Sequence, residues 1–220
     1  MKIFDRICSV ILIFAVSIFI ISAAQNVIFR TSGVYGFYFN DSRAVNQIYT
    51  SLSNNEMAEE IASFMGSWMP EKFDILEFTG YDYESVFTEE DSAIMMKAKK
   101  ALDISGVLCV VSMVLTISIY LHLLRSEKKK MVMNSYKFSF VISLGLAISE
   151  TVLMMTNGGR AKLLELINIT ELPVESQLLK ILGPEFINMA AFFVAGLTLV
   201  LLAVITYVTV IITKPPRIFY

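Results

Sequence analysis

Four stretches of this chain, residues 7–24, 104–124, 138–155 and 187–212, are almost uninterruptedly apolar. A bilayer core about 30 Å thick takes about 20 residues at 1.5 Å each, so every one of the four is long enough to span it. Inside hydrocarbon the backbone must satisfy its own hydrogen-bonding groups, which makes these runs helices. The expected fold class is therefore an all-α integral membrane protein with four transmembrane helices. The first and third runs have 18 residues, near the lower limit, and are expected to gain a turn from their flanks. The fourth has 26 and is expected to tilt or protrude. Composition agrees: 55% of residues are apolar or aromatic and 17% charged, with a mean hydropathy of +0.64. A net charge of -2 and the lack of any arginine-rich segment exclude nucleic acid as a partner.

Positive charge beside the spans sets the orientation, because Lys and Arg flanks stay in the cytoplasm. Nine of the 18 Lys and Arg residues fall in the 27 positions 1–6, 125–137 and 213–220, and the other nine are spread over the 110 positions 25–103 and 156–186. This puts both termini and the inner loop 125–137 on the cytoplasmic side of a plasma membrane, with outer loops 25–103 and 156–186. The whole chain, 1–220, reads as a single membrane domain. A competing reading makes the first run a cleaved signal peptide, with a charged start at Lys2 and Arg6 and small residues Ser22, Ala23 and Ala24. The run exceeds the usual 7–15 residues of such a segment, which favours an uncleaved anchor.

The first outer loop has helical periodicity, so a helical extracytoplasmic cap is expected. Val45, Ile48, Tyr49 and Leu52 repeat at i, i+3, i+4 and i+7, and Met57, Ile61, Phe64 and Met65 do so again after an Asn54–Asn55 start, ending at Gly66 and Pro70. Glu56, Glu59 and Glu60 suit the positive end of that second helix. Thr88 with Asp91 forms a variant capping box opening a third helix that should run straight into the second span. The second outer loop has Pro173 near a helix start, then Leu178, Leu179, Ile181 and Leu182, ended by Gly183–Pro184. Stripes of Met and aromatics are ordinarily packing faces, so the cap is expected to lie against the spans or lipid head groups.

Polar residues within the spans are few. Glu150 is the sole acid, about 7.5 Å from the end of the third run at helical rise. An intramembrane carboxyl is a functional candidate by default. The bland alternative is a protonated side chain, or one bonded to Ser149 or Thr151 or reached by water. Ser139, Ser143, Ala147 and Thr151 recur every four residues, a spacing that lets helices approach closely. Cys8, Cys109 and the single His122 cannot supply a four-ligand metal site or a disulfide scaffold, and no cofactor is implied. Each cysteine reads as a small buried hydrophobe, and His122 belongs at the inner interface beside Arg125 and Lys128.

Two segments, Phe87-Thr-Glu-Glu-Asp-Ser-Ala-Ile-Met-Met-Lys-Ala-Lys99 and Leu178-Leu-Lys-Ile-Leu-Gly-Pro-Glu-Phe186, taken with the layout of spans and loops, resemble the lipoprotein intramolecular transacylase (Lit) family of bacterial four-span membrane proteins. The resemblance implies an acyltransferase that moves an acyl chain from the glycerol of a lipoprotein's diacylglyceryl-cysteine to the amine of the same cysteine. Such a step needs a base for the amine and a donor for the oxyanion. The family pattern His-Met/Phe-x-Asp-Val-Lys falls on Ile94, Met95, Met96, Lys97, Ala98 and Lys99, so Ile94 occupies the histidine position and Lys97 the aspartate position. The second outer loop, where the family carries another histidine, has Leu163, Leu164, Glu165 and Leu166 but no His. If the chain is active, Glu150 is the residue placed to act as base, with Tyr49 or Lys99 as donors.

Two functions from different classes remain: an acyltransferase impaired by the missing histidines, and a non-catalytic membrane protein that binds membrane lipids or lipoproteins. Disulfide-braced adhesion proteins are disfavoured because the outer loops contain no Cys. A transporter is weaker still, since no inverted repeat is visible. The orientation is directly testable: a cysteine reporter at Ser53 should react with an impermeant reagent added outside, and one at Ser126 should not. The reverse pattern would overturn the topology.

Overall fold

The computed structural model describes residues 2–48, 50–68, 72–78, 80–169 and 176–214. Its elements are α1 (Lys2–Arg30), α2 (Ser32–Ser42), a 3₁₀ turn (Ala44–Gln47), α3 (Asn54–Gly66), β1 (Leu76–Phe78), β2 (Tyr83–Ser85), α4 (Glu89–Arg125), α5 (Lys129–Met155), α6 (Asn157–Leu166), α7 (Gln177–Ile181) and α8 (Pro184–Thr213). Among the described residues four helices, α1, α4, α5 and α8, are long and apolar enough to cross a membrane. Each overruns the apolar run that announced it. The third helix expected in the first loop is the start of α4, continuous with the second span, and α8 begins at Pro184, whose missing N–H suits a first helical position.

The chain divides into two compact units. The first comprises 2–24, 106–149 and 194–214 among the described residues. Its core is a stripe of α1 (Cys8, Leu12, Val16 and Ile20) packed with Ile119, Leu123, Val132, Tyr136 and Leu202. Large apolar side chains such as Val110, Val114, Val200 and Val204 stand exposed instead of buried, as befits helices whose solvent is lipid. Small residues let α5 approach α1: Ser139, Ser143 and Ala147 are buried, Ser17 Oγ donates to the Ser139 carbonyl at 3.2 Å, and Ser9 and Ser135 share a hydrogen bond. The spacing of Ser139, Ser143 and Ala147 is thus a packing face, extended one step further by Ser135. Tyr136 Oη donates to the Leu202 carbonyl at 3.0 Å, and Tyr120 bonds Thr209 at 2.9 Å. Cys8 is buried as expected, but Cys109 is only half-buried.

The second unit comprises 25–105 and 150–193. Four of its helices, α3, α4, α6 and α7, open on side-chain caps. Ser53 accepts from the Glu56 N–H at 3.3 Å while Glu56 accepts from the Ser53 N–H at 2.8 Å, which makes Ser53, not Asn54 or Asn55, the cap of α3. Those hydrogen bonds hold the Glu56 carboxyl below its ordinary range. The Thr88–Asp91 box forms as read, with the Asp91 N–H donating to Thr88 Oγ1 at 3.1 Å. Tyr35, Tyr38 and Phe39 from α2 are buried, and Phe186 of α8 stacks on Tyr35 at 5.2 Å between ring centroids. Burial pushes the Tyr35 hydroxyl well above its ordinary range, so it stays protonated and donates to the Phe29 carbonyl at 2.8 Å.

Four features depart from the sequence reading. Residues 45–52 do not form an amphipathic helix: α2 ends at Arg43 in the left-handed region (φ 54°), and only one 3₁₀ turn follows before extended backbone at Ile48. Val45 and Ile48 are still buried, so their spacing recorded burial without helix. Tyr49 lies outside the described residues, as do Pro70 and Pro173. Beyond the helices there is a two-stranded antiparallel hairpin, in which Leu76 pairs with Ser85 and Phe78 with Tyr83. Both α2 and α6 fell in stretches read as loop.

One residue, Thr156, separates α5 from α6, and the corner it forms requires glycine three residues later. A Cβ on Gly159 would lie 2.2 Å from the Leu153 carbonyl oxygen and 2.6 Å from the Leu153 Cα. Both are backbone atoms that cannot rotate away. Gly159→Ala is expected to destabilise the protein by about 1–3 kcal/mol, the usual cost of overpacking, readable as a lowered Tm in detergent, whereas Gly158→Ala, with open space around it, should not.

Candidate functional site

The first turns of α4 place their side chains in two classes. Asp91, Met95, Lys99 and Leu102 are buried at helical spacing, while Ile94 and Ala98 are half-buried on the adjoining face. That face, with Met95, walls a cavity of about 440 Å³ whose other sides include Tyr35, Leu164, Ile167, Leu178 and Phe186. A second cavity of about 270 Å³ shares Phe29, Met65, Ala98, Arg160, Leu164, Ile167 and Ile187 with it and adds Gln25 and Ser105. Both lie within the second unit. The lining is overwhelmingly apolar, and its one charged side chain is Arg160.

A chain of polar groups starts at the Gln25–Ser105 edge. Gln25 Nε2 donates to Glu150 Oε1 at 2.6 Å, and Gln25 Oε1 accepts from Ser105 Oγ at 2.7 Å. Asn26 Nδ2 donates to Ser105 Oγ at 3.3 Å and Asn26 Oδ1 accepts from Arg30 Nε at 3.0 Å. Arg30 then pairs with Asp103 at 2.7 Å, and Asp103 with Lys99 at 3.4 Å. Lys99, 2% exposed, also donates to the Ser67 carbonyl and sits over the Phe64 ring at 5.6 Å. Two of the residues singled out from sequence, Glu150 and Lys99, are thus the two ends of one hydrogen-bonded series.

The partner of Glu150 is Gln25; Ser149, one of the partners considered for it, donates to the Gly145 carbonyl at 2.9 Å. Lys97 is exposed and donates to the Asn168 carbonyl at 2.6 Å. His122 has its partners in the first unit: Asp5 at 3.4 Å and the Phe4 ring at 5.3 Å. Ile94 lines the larger cavity, and its side chain has no group that can take up or release a proton. Sequence reasoning missed Gln25, Ser105 and Arg160. Gln25 adjoins the first apolar run and Ser105 lies inside the second, where single polar residues are unremarkable, and Arg160 follows two glycines in a stretch read as loop.

The fold is that of a four-span membrane protein with short helices between the first and fourth spans. Solved structures with that arrangement include the membrane integral lipoprotein intramolecular transacylase Lit from Bacillus cereus. A histidine-to-arginine variant of it superposes with a TM-score of 0.74 over 97% of this chain and 93% of that one. A second structure of the same protein gives 0.68 over 94% and 96%. Sequence identity is 11% in both, so the likeness is one of fold. No protein-family model matches the sequence, and neither does any curated protein.

The ion series makes a stability prediction. Asp103 neutralises two cations, one of them buried, so Asp103→Asn strands Lys99 without a counter-charge. The cost should lie between the ~1 kcal/mol of an exposed pair and the ~3 kcal/mol of a buried one, since Asp103 is itself 40% exposed. Lys99→Met removes the buried charge and should cost less. Thermal unfolding in one detergent orders the two, and an indifferent Asp103→Asn would show that the pairs hold nothing together.

Proposed function

We propose that this chain is a plasma-membrane protein, both termini cytoplasmic, that holds the acyl chain of a membrane lipid or lipoprotein in the cavity beside Ile94, and that it does not perform the intramolecular acyl transfer for which its structural neighbour is named. The observation that carries this reading is the composition of the cavity wall, an apolar lining that includes Ile94; the sequence resemblance, which puts Ile94 where the family has a histidine, supports it. Amine attack on an ester needs a base, and a positioned base contributes on the order of 100- to 10,000-fold. Orientation of substrate in the cavity alone leaves a slow residual reaction. Expressed in a bacterium lacking its own transacylase, the chain is expected to leave lipoprotein N-termini in the diacylated form by mass spectrometry. Accumulation of the N-acylated lyso form would overturn the proposal.

One observation favours a second reading, in which the chain is a transacylase with a carboxylate base. Glu150 is hydrogen-bonded to Gln25, and Gln25 and Ser105 line the smaller cavity, so a proton taken there has a short route to a carboxylate. Under this reading Glu150→Gln, normally inserted in the membrane, abolishes lyso-form production in the same host. Under the binding reading the substitution changes nothing.

A further inference from the structure

Among the described residues Arg160 is the one charged side chain in the walls of both cavities, and every partner of its guanidinium there is neutral. Nη1 donates to Asn188 Oδ1 at 2.8 Å and to the carbonyls of Met154 and Met155 at 3.3 and 3.4 Å, and Nη2 donates to Asn157 Oδ1. Among the described residues the ion pairs are Arg30 and Lys99 with Asp103 and His122 with Asp5, so no carboxylate neutralises Arg160. These partners hold the guanidinium in place through one nitrogen edge, and no acceptor meets Nε among the described residues. The protein has fixed a permanent positive charge at an apolar hollow. Arg160 is the fourth residue of α6, and its bonds to the Met154 and Met155 carbonyls set the guanidinium across the junction of α5 and α6.

A net positive charge beside apolar walls is complementary to an amphiphile with an anionic head. From this we infer that the cavity takes a long-chain carboxylate, its head on Arg160 and its chain along Ile94, Ala98 and Leu164. The inference rests on the proposed acyl-chain reading of the cavity and adds to it the chemistry of the head group. A cavity of about 440 Å³ is within the roughly 300–1,000 Å³ usual for small-molecule sites. The planar guanidinium offers donors in a fork that matches a carboxylate.

The test uses the full chain in nanodiscs of zwitterionic lipid and two photoactivatable probes, a C18 fatty acid and its methyl ester. The fatty acid should label the cavity wall about tenfold more efficiently than the ester, a difference in keeping with hydrogen bonds to a charged group. Arg160→Gln should remove that advantage while leaving the ester's labelling unchanged, and Arg160→Lys, which keeps the charge, should retain part of it. Leu164→Trp, which fills the wall, should lower the labelling by both probes. Equal labelling by both probes, insensitive to Arg160→Gln but reduced by Leu164→Trp, overturns the anionic head and leaves the acyl-chain reading standing. Labelling by both that is insensitive to Leu164→Trp overturns both. A loss of Tm in Arg160→Gln shifts the decision to Arg160→Lys: labelling by the fatty acid that falls to the level of the ester with fold retained counts against the inference.

Discussion

Asp103 organises the second unit. Its two carboxylate oxygens hold Arg30, from the end of α1, and Lys99, four residues back on α4, and Lys99 in turn reaches the carbonyl of Ser67 just past α3. Three elements distant in sequence are joined by one acid. The arrangement also fixes the rotation of α4: with Asp91, Met95 and Lys99 turned inward, Ile94 and Ala98 have to face the adjoining hollow. A lysine buried this deeply costs desolvation that only a paired charge and hydrogen bonds offset. The cavity's shape therefore depends on an interaction that does not line the cavity.

The chemistry available in that hollow follows from its wall. Apolar side chains exclude water and hold an acyl chain without directing any reaction. A transacylase needs, in the same place, a group able to accept a proton from an amine. Of the three titratable groups picked out from the sequence, Glu150 and Lys99 lie at the ends of the polar series and are not among the residues lining the cavities, and Tyr49 lies outside the described residues; the imidazole of His122 is tied to Asp5. Arg160 offers donors only, so it can attract an anion or hold an oxyanion but cannot serve as base. To the larger cavity α4 thus contributes Ile94, Met95 and Ala98, none of which can accept a proton.

Much of the architecture was legible in sequence because its causes are local. The four spans follow from hydrophobic length, and the start of α4 from the reciprocal Thr88–Asp91 cap, which needs only neighbours three residues apart. The small-residue stripe Ser139–Ser143–Ala147 was readable for the same reason. Residues 45–52 misled because burial at 3.6-residue spacing does not require a helix: Val45 and Ile48 are buried from a 3₁₀ turn and extended chain. The site was less legible. Gln25 gains meaning only by meeting Glu150, 125 positions away, Ser105 only by meeting Gln25, 80 positions away, and Arg160 only by having neutral partners among the described residues. The resemblance pointed to residues 94–99, and the structure puts Ile94, Met95 and Ala98 of these in the cavity wall.

The central claim is that the hollow beside Ile94 holds an acyl chain. Native mass spectrometry of the purified chain released from mild detergent tests it most directly, comparing the unsubstituted protein with Ala98→Trp, which fills the wall common to both cavities. The account predicts a retained lipid mass on the unsubstituted protein that is lost from Ala98→Trp at unchanged Tm. Equal lipid retention by the two proteins would contradict it.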